Sequence, residues 1–145
     1  MSRLDEARAF RETFGQEMLP NISHYGFIKK KLWSMQLDLI REEASEFLVA
    51  ADEVYADPEN NKRRSELLKE LSDLVFVCYQ FAASYSLDLD EALRRVFESN
   101  MSKLDEDGKV IYRADGKVLK GPNYEPPNLD GLFPTSNSHY DTHGK

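Results

Sequence analysis

The sequence predicts an all-α protein, a helical bundle completed by association of chains, followed by a short C-terminal β-hairpin and an irregular tail. Three observations predict it. Apolar residues recur at helical spacing through four stretches of the first 104 residues. Those stretches are separated by residues that start or stop helices. Beyond Leu104 the composition changes sharply, with Gly108, Gly116, Gly121 and Gly131 gathered among Pro122, Pro126, Pro127 and Pro134.

The first helix is expected from about residue 2 to 15, with Leu4, Ala7, Phe10 and Phe14 as its apolar positions and Gly15 near its stop. Pro20 and Gly26 break the pattern in LPNISHYG. A long helix is then expected from about 27 to 55, ended by Asp57-Pro58. A second long helix follows from about 59 to 85. Another starts at Asp88 or Asp90, acids suited to a helix start, and runs to about 103. These last three carry most of the core. On a wheel of about 100° per residue, Trp33, Leu37, Ile40, Ala44, Phe47, Leu48 and Ala51 form the main stripe of the first long helix. Leu67, Leu71, Leu74, Cys78 and Phe81 form that of the next. Each helix also has a second, partly apolar strip, so one chain is left with apolar surface to cover.

In KVIYRADGKVLK, two β-prone runs flank Ala-Asp-Gly, a hairpin turn signal. The expected organisation is therefore a helical core over 1–104, a hairpin and Pro/Gly-rich extension over 105–134, and a disordered tail over 135–145. His139 and His143 in that tail have the i, i+4 spacing of a metal pair, but the tail reads as disordered and they are not counted among the metal ligands.

Composition narrows the function. A net charge of −7 argues against a duplex nucleic-acid binder, which usually shows a basic surface. A single cysteine, Cys78, excludes a disulfide framework or a Cys-based zinc site within one chain. No uninterrupted apolar run reaches the roughly 20 residues of a membrane span, and no secretory h-region opens the chain. The expectation is a soluble, cytoplasmic protein.

The chemistry lies in two acidic pairs, Glu43/Glu46 in REEASEF and Glu70/Asp73 in LLKELSDLVFV. Spacing of i, i+3 puts each pair on one helix face. If the two faces meet, four carboxylates converge on one point, the coordination a hard divalent cation takes. Both pairs lie in the second strip, among Leu32, Leu39 and Ala50 on one helix and near Val77 on the other. Ionised carboxylates beside a buried surface are costly unless a cation or hydrogen-bond donors compensate them.

Glu42-Glu43-x-x-Glu46, then Glu70-x-x-Asp73, then Asn100-Met101-Ser102-Lys103 at the end of the next helix resembles the all-α nucleoside triphosphate pyrophosphohydrolases of the MazG type. It is most similar to short, single-domain members of the sort carried by bacteriophages, in which a segment like SNMSKL precedes one like DGKVIYRADGKVLKGPNY. The resemblance covers the chain to about Tyr124. It implies a helical bundle built from dimers and often assembled as tetramers. It also implies Mg²⁺, with Mn²⁺ as a substitute, and cleavage of a nucleoside triphosphate between its α and β phosphates to give the monophosphate and pyrophosphate.

Carried over position by position, Glu43, Glu46, Glu70 and Asp73 are the metal ligands, and Asn100 and Lys103 contact the sugar-phosphate end of the nucleotide. Glu42 matches the motif but points elsewhere on the wheel, where it supports the ligands rather than holding metal. Phe14-Gly15-Gln16 resembles a stretch that precedes the metal helix in the short members, which makes Gln16 a nucleotide contact. Trp33 is a candidate for stacking on the base, although it opens the main apolar stripe. Either Glu46 or Glu43 is the expected general base. Lys29, Lys30 and Lys31 could touch phosphates. Arg113, Lys117 and Lys120 could form a lid over a neighbouring site. For both groups surface charge is the preferred reading.

The residues leave the substrate open among canonical or damaged deoxynucleotides, ribonucleotides and alarmones; deoxynucleotides are preferred from the phage-type likeness alone. A phosphoribosyl-ATP pyrophosphohydrolase of histidine synthesis would share the metal site. A reading from another class is a non-catalytic helical dimerisation or adaptor module whose acids face water.

Overall fold

The computed structural model describes residues 1–20 and 29–132. Most of the expected break around Pro20 and Gly26, and the tail with His139 and His143, lie outside the described residues. Among the described residues there are four helices: α1 (Arg3–Thr13), α2 (Lys30–Ala56), α3 (Asn61–Ser84) and α4 (Leu89–Met101). They belong to two compact units, residues 1–87 and 88–133. Among the described residues no helix is long and apolar enough to cross a membrane.

The first unit holds α1 to α3. Ser2 opens α1 with a reciprocal capping box, its hydroxyl accepting from the Asp5 backbone while the Asp5 carboxylate accepts from the Ser2 N–H. Residues 57–60 join α2 to α3, and Asn60 caps α3 by accepting from the Arg63 N–H. So short a link forces an antiparallel helix pair. Accordingly Leu32, near the start of α2, joins Tyr85, just after α3, in one apolar cluster with Leu19. α1 packs on α3, burying Leu4 and Ala7.

The face of α2 that meets α3 differs from the expected stripe. Leu32, Gln36 and Ala50 are buried, whereas Leu48 of the predicted stripe is 61% exposed. Leu32, Gln36, Leu39, Glu43, Glu46 and Ala50 follow alternating steps of four and three residues. On α3, Glu70, Asp73, Val77, Gln80 and Ser84 follow the same rhythm in the opposite direction, and the last three are buried. This is a seam of the coiled-coil kind, with polar residues at positions normally apolar. The acids lie in the middle of the packed seam because they occupy its register.

In the second unit, Asp88 caps α4 by accepting from the Glu91 N–H, and the extension folds back along the helix. The Arg95 guanidinium donates to the carbonyls of Asn128 at 3.0 Å and Asp130 at 3.1 Å. Ser99 donates to the Glu125 carbonyl at 2.7 Å. The expected β-hairpin is not formed: among the described residues its arms meet in one antiparallel bridge, Tyr112 to Val118, with no strand. The turn itself exists, Arg113 N–H donating to Lys117 O at 2.7 Å and Leu119 N–H to Ile111 O at 2.8 Å, with Gly116 at φ +88°. What is missing is a face to bury. Val110, Tyr112, Val118 and Leu119 are all exposed, and two short arms without a covered face do not hold a sheet.

Candidate active site

The α2–α3 seam brings together three of the four expected ligands. Glu43, Glu46 and Glu70 each present a carboxylate oxygen within 4.8 Å of the others. The Glu43 and Glu70 Oε2 atoms are buried and have no hydrogen-bond partner. Glu46 is the exposed member. Burial first, then the charges of Glu46, Asp73 and Glu70, push the Glu43 carboxyl above the usual range. Anionic oxygens out of water and without donors are what a cation would compensate, and an all-oxygen donor set suits Mg²⁺ or Mn²⁺. The residues present fit such an ion.

Asp73, the fourth expected ligand, is joined to the group through a lysine that sequence reasoning missed. Lys69 Nζ lies 3.1 Å from Glu70 Oε1 and 2.9 Å from Asp73 Oδ2, and these contacts raise its pKa beyond the ordinary lysine range. It is the local counter-charge of the α3 acids. The signal was present, since Lys69 and Asp73 stand at i, i+4 and Glu70 is adjacent.

The remaining expected residues divide between the units. Trp33 packs as part of the core, edge-on to Phe81 and Tyr85 with ring centroids 5.0 and 5.3 Å away. Gln16 is exposed and lines a cavity of about 390 Å³ with Arg11, Lys29 and Gln36. Glu42, also exposed, is not among the clustered acids. Asn100 and Lys103 belong to the second unit, at the end of α4. There Lys103 N–H donates to the Asn100 carbonyl at 3.2 Å, and Gly121 N–H donates to the Lys103 carbonyl at 2.8 Å.

Among curated proteins no match was found. A family model for phosphoribosyl-ATP pyrophosphohydrolase matches residues 7–100, which is 94 of the 145 residues. The match spans all four clustered or bridged acids, Gln16, Trp33 and Asn100, and stops short of Lys103. That family falls in the same all-α pyrophosphohydrolase superfamily as the MazG-like proteins that the motifs resemble. On this match, the chain belongs to the phosphoribosyl-ATP pyrophosphohydrolase family.

Proposed function

We propose that this protein is a Mg²⁺-dependent pyrophosphohydrolase that cleaves nucleoside triphosphates, deoxynucleotides by preference, between the α and β phosphates. The observation that carries the proposal is the cluster of Glu43, Glu46 and Glu70, with two buried oxygens lacking any partner. Family membership supports the reaction class.

Glu43 and Glu70, each with a buried oxygen lacking a hydrogen-bond partner, would hold the cation, with Asp73 joining them once Lys69 swings away. When bound, a divalent cation supplies a lowered pKa for attacking water and stabilisation of charge on the departing pyrophosphate. Glu46, the solvent-facing acid of the cluster, takes the proton of the attacking water. Asn100 and Lys103 receive the sugar-phosphate end in this scheme, an assignment that rests on the MazG-type motif. A second copy of the chain completes the bundle, and the cytoplasm is the setting.

The family match itself favours a second substrate, phosphoribosyl-ATP, which would use the same acids. Pyrophosphate release measured from deoxy- and ribonucleoside triphosphates and from phosphoribosyl-ATP, with and without Mg²⁺, separates the two. Release is expected to require Mg²⁺ and to fall about 10²-fold or more in Glu46→Ala, with a comparable loss in Asp73→Ala, both variants remaining folded. Release from phosphoribosyl-ATP alone would transfer the protein to that reaction. No release from any of these compounds would overturn the enzymatic reading in favour of the adaptor module.

A further inference from the structure

Two helical turns along the same seam from the acids lies a second polar layer. Gln36 precedes Glu43 by seven residues on α2, and Gln80 follows Asp73 by seven on the antiparallel α3. On both helices the layer therefore stands about 10 Å from the carboxylates, at 1.5 Å per residue. Three polar side chains are buried here, Arg11, Gln36 and Gln80. Two have partners. Arg11 donates to the Glu17 carbonyl at 3.0 and 2.8 Å and to Gln80 Oε1 at 3.2 Å, and Gln80 Nε2 donates to the Ala7 carbonyl at 3.4 Å.

Gln36 is the exception. It is 2% exposed, and its Oε1 is buried without a hydrogen-bond partner. Stranding a buried acceptor costs stability. A leucine of similar shape would remove that cost, so the amide calls for an explanation other than packing. Gln36 forms part of the wall of the cavity of about 390 Å³ that Arg11, Gln16, Lys29 and Lys31 also line. That volume is within the range of small-ligand pockets. The wall combines apolar Leu32, Met35 and Leu39 with Arg11, Lys29, Lys31 and one acid, Glu17, which pairs with Lys29. Such a lining, apolar with polar groups at its edge, suits a flat heterocycle.

We infer that this cavity is the nucleoside pocket of the enzyme and that Gln36 Oε1 selects the base by accepting from an exocyclic amino group. This deepens the pyrophosphohydrolase reading and rests on it for the placing of the phosphates at the acids. With phosphate at the carboxylates, the base of the same nucleotide reaches the Gln36 layer along the seam. Adenine and cytosine present an amino group to the acceptor. Thymine and uracil present a carbonyl at the equivalent edge, which would set two acceptors against each other and leave both unpaired. Sites built to hydrogen-bond a substrate group discriminate strongly against an analogue lacking it.

The test is calorimetric binding of dAMP, dCMP and dTMP to the full-length protein in Mg²⁺, comparing wild type with Gln36→Leu and Gln36→Met. Wild type is expected to bind dAMP or dCMP about tenfold or more tighter than dTMP. Both variants should shrink that preference to about threefold or less, leave Mg²⁺ affinity unchanged, and melt no lower than wild type. A preference that survives in the variants overturns the inference, as does failure of wild type to bind any of the three. In that case Gln36 is a packing residue whose amide a buried water satisfies. Failure of the reaction itself looks different. No pyrophosphate release, with Gln36-dependent binding retained, would sink the hydrolase reading and leave the pocket standing. Metal-dependent release whose base preference ignores Gln36→Leu would sink the pocket alone.

Discussion

Glu43 is held with one oxygen out of water and three other acids nearby, and both conditions favour its protonated form. Because its folded pKa is raised, the ionised carboxylate works against the fold. The penalty is absent below the ordinary value of 4.5, grows as pH rises from there through the folded value, and is complete above it. In metal-free protein, Glu43→Gln should therefore melt higher than wild type at about pH 8 and close to it at about pH 4. Lys69→Met should move the other way at the higher pH, since it strips the counter-charge from Glu70 and Asp73. Added Mg²⁺ should raise the wild-type melting temperature more than that of Glu43→Gln, because an ion bound only by the folded state stabilises it. Thermal melts across pH in chelator and in Mg²⁺ check all three. An equal offset between Glu43→Gln and wild type at both pH values would show that Glu43 carries no strained charge. The acids themselves were legible in the sequence, because carboxylates at i, i+3 declare a shared face whatever packs against it. The Lys69 pairing was equally open to reading, at i, i+4 from Asp73 on its own helix. Gln36 was not: its role follows from what the neighbouring helix leaves unpaired, and no single-helix pattern carries that information.

At the scale of elements, the helices follow from local chemistry and the seam does not. Ser2, Asn60 and Asp88 each cap the helix that follows them, and Asp57-Pro58 stops α2, so element order was readable within a few residues. The helical wheel made Trp33, Leu37, Ile40, Ala44 and Leu48 the main stripe, since hydrophobicity is what a wheel measures; Trp33 does pack in the core, whereas Leu48 is exposed. The structure packs what the wheel made the second strip, with Leu32, Ala50, Val77 and the acids, in a register that also takes in Gln36 and Gln80. The hairpin was overread for a related reason: a turn signal specifies the turn and says nothing of a surface to cover the arms. The extension is tied instead at one close approach, where Gly121 N–H meets the Lys103 carbonyl. A Cβ on Gly121 would stand 2.4 Å from the Leu104 carbonyl oxygen and 2.7 Å from that of Lys103. Gly121→Ala must therefore push the extension off the end of α4. The expected cost is about 1–3 kcal/mol to the second unit, with faster amide exchange at residue 121 and faster proteolysis of 105–132. Unchanged exchange there would mean that the extension is anchored by Arg95, Ser99 and Ser102 without this contact.

For the whole molecule, the question is where the predicted stripes go once the seam has used the other face. Among the described residues the buried apolar side chains larger than alanine are Leu4, Leu19, Leu32, Val77, Tyr79 and Tyr85. That is a thin core for a chain of 145 residues. Meanwhile Leu68 is 64% exposed, Val75 47% and Phe76 41%, all on α3. Leu68, Leu71, Val75 and Phe76 follow helical spacing, so they form one continuous apolar strip along that helix. An apolar face of this extent on a lone subunit marks an interaction surface. On the proposed reading, a second copy with the same two faces completes this helix pair into a larger bundle. Light scattering at micromolar concentration should return a dimer or a multiple of it. A charge placed in the strip, as in Val75→Lys, should shift the population toward monomer and lower the melting temperature in a protein-concentration-dependent way. The seam acids lie on the opposite register, so the affinity of the first Mg²⁺ should change little if each chain carries its own cluster. A wild-type protein that stays monomeric, or a Val75→Lys variant that assembles as wild type does, would mean that the strip is covered by something other than a second chain.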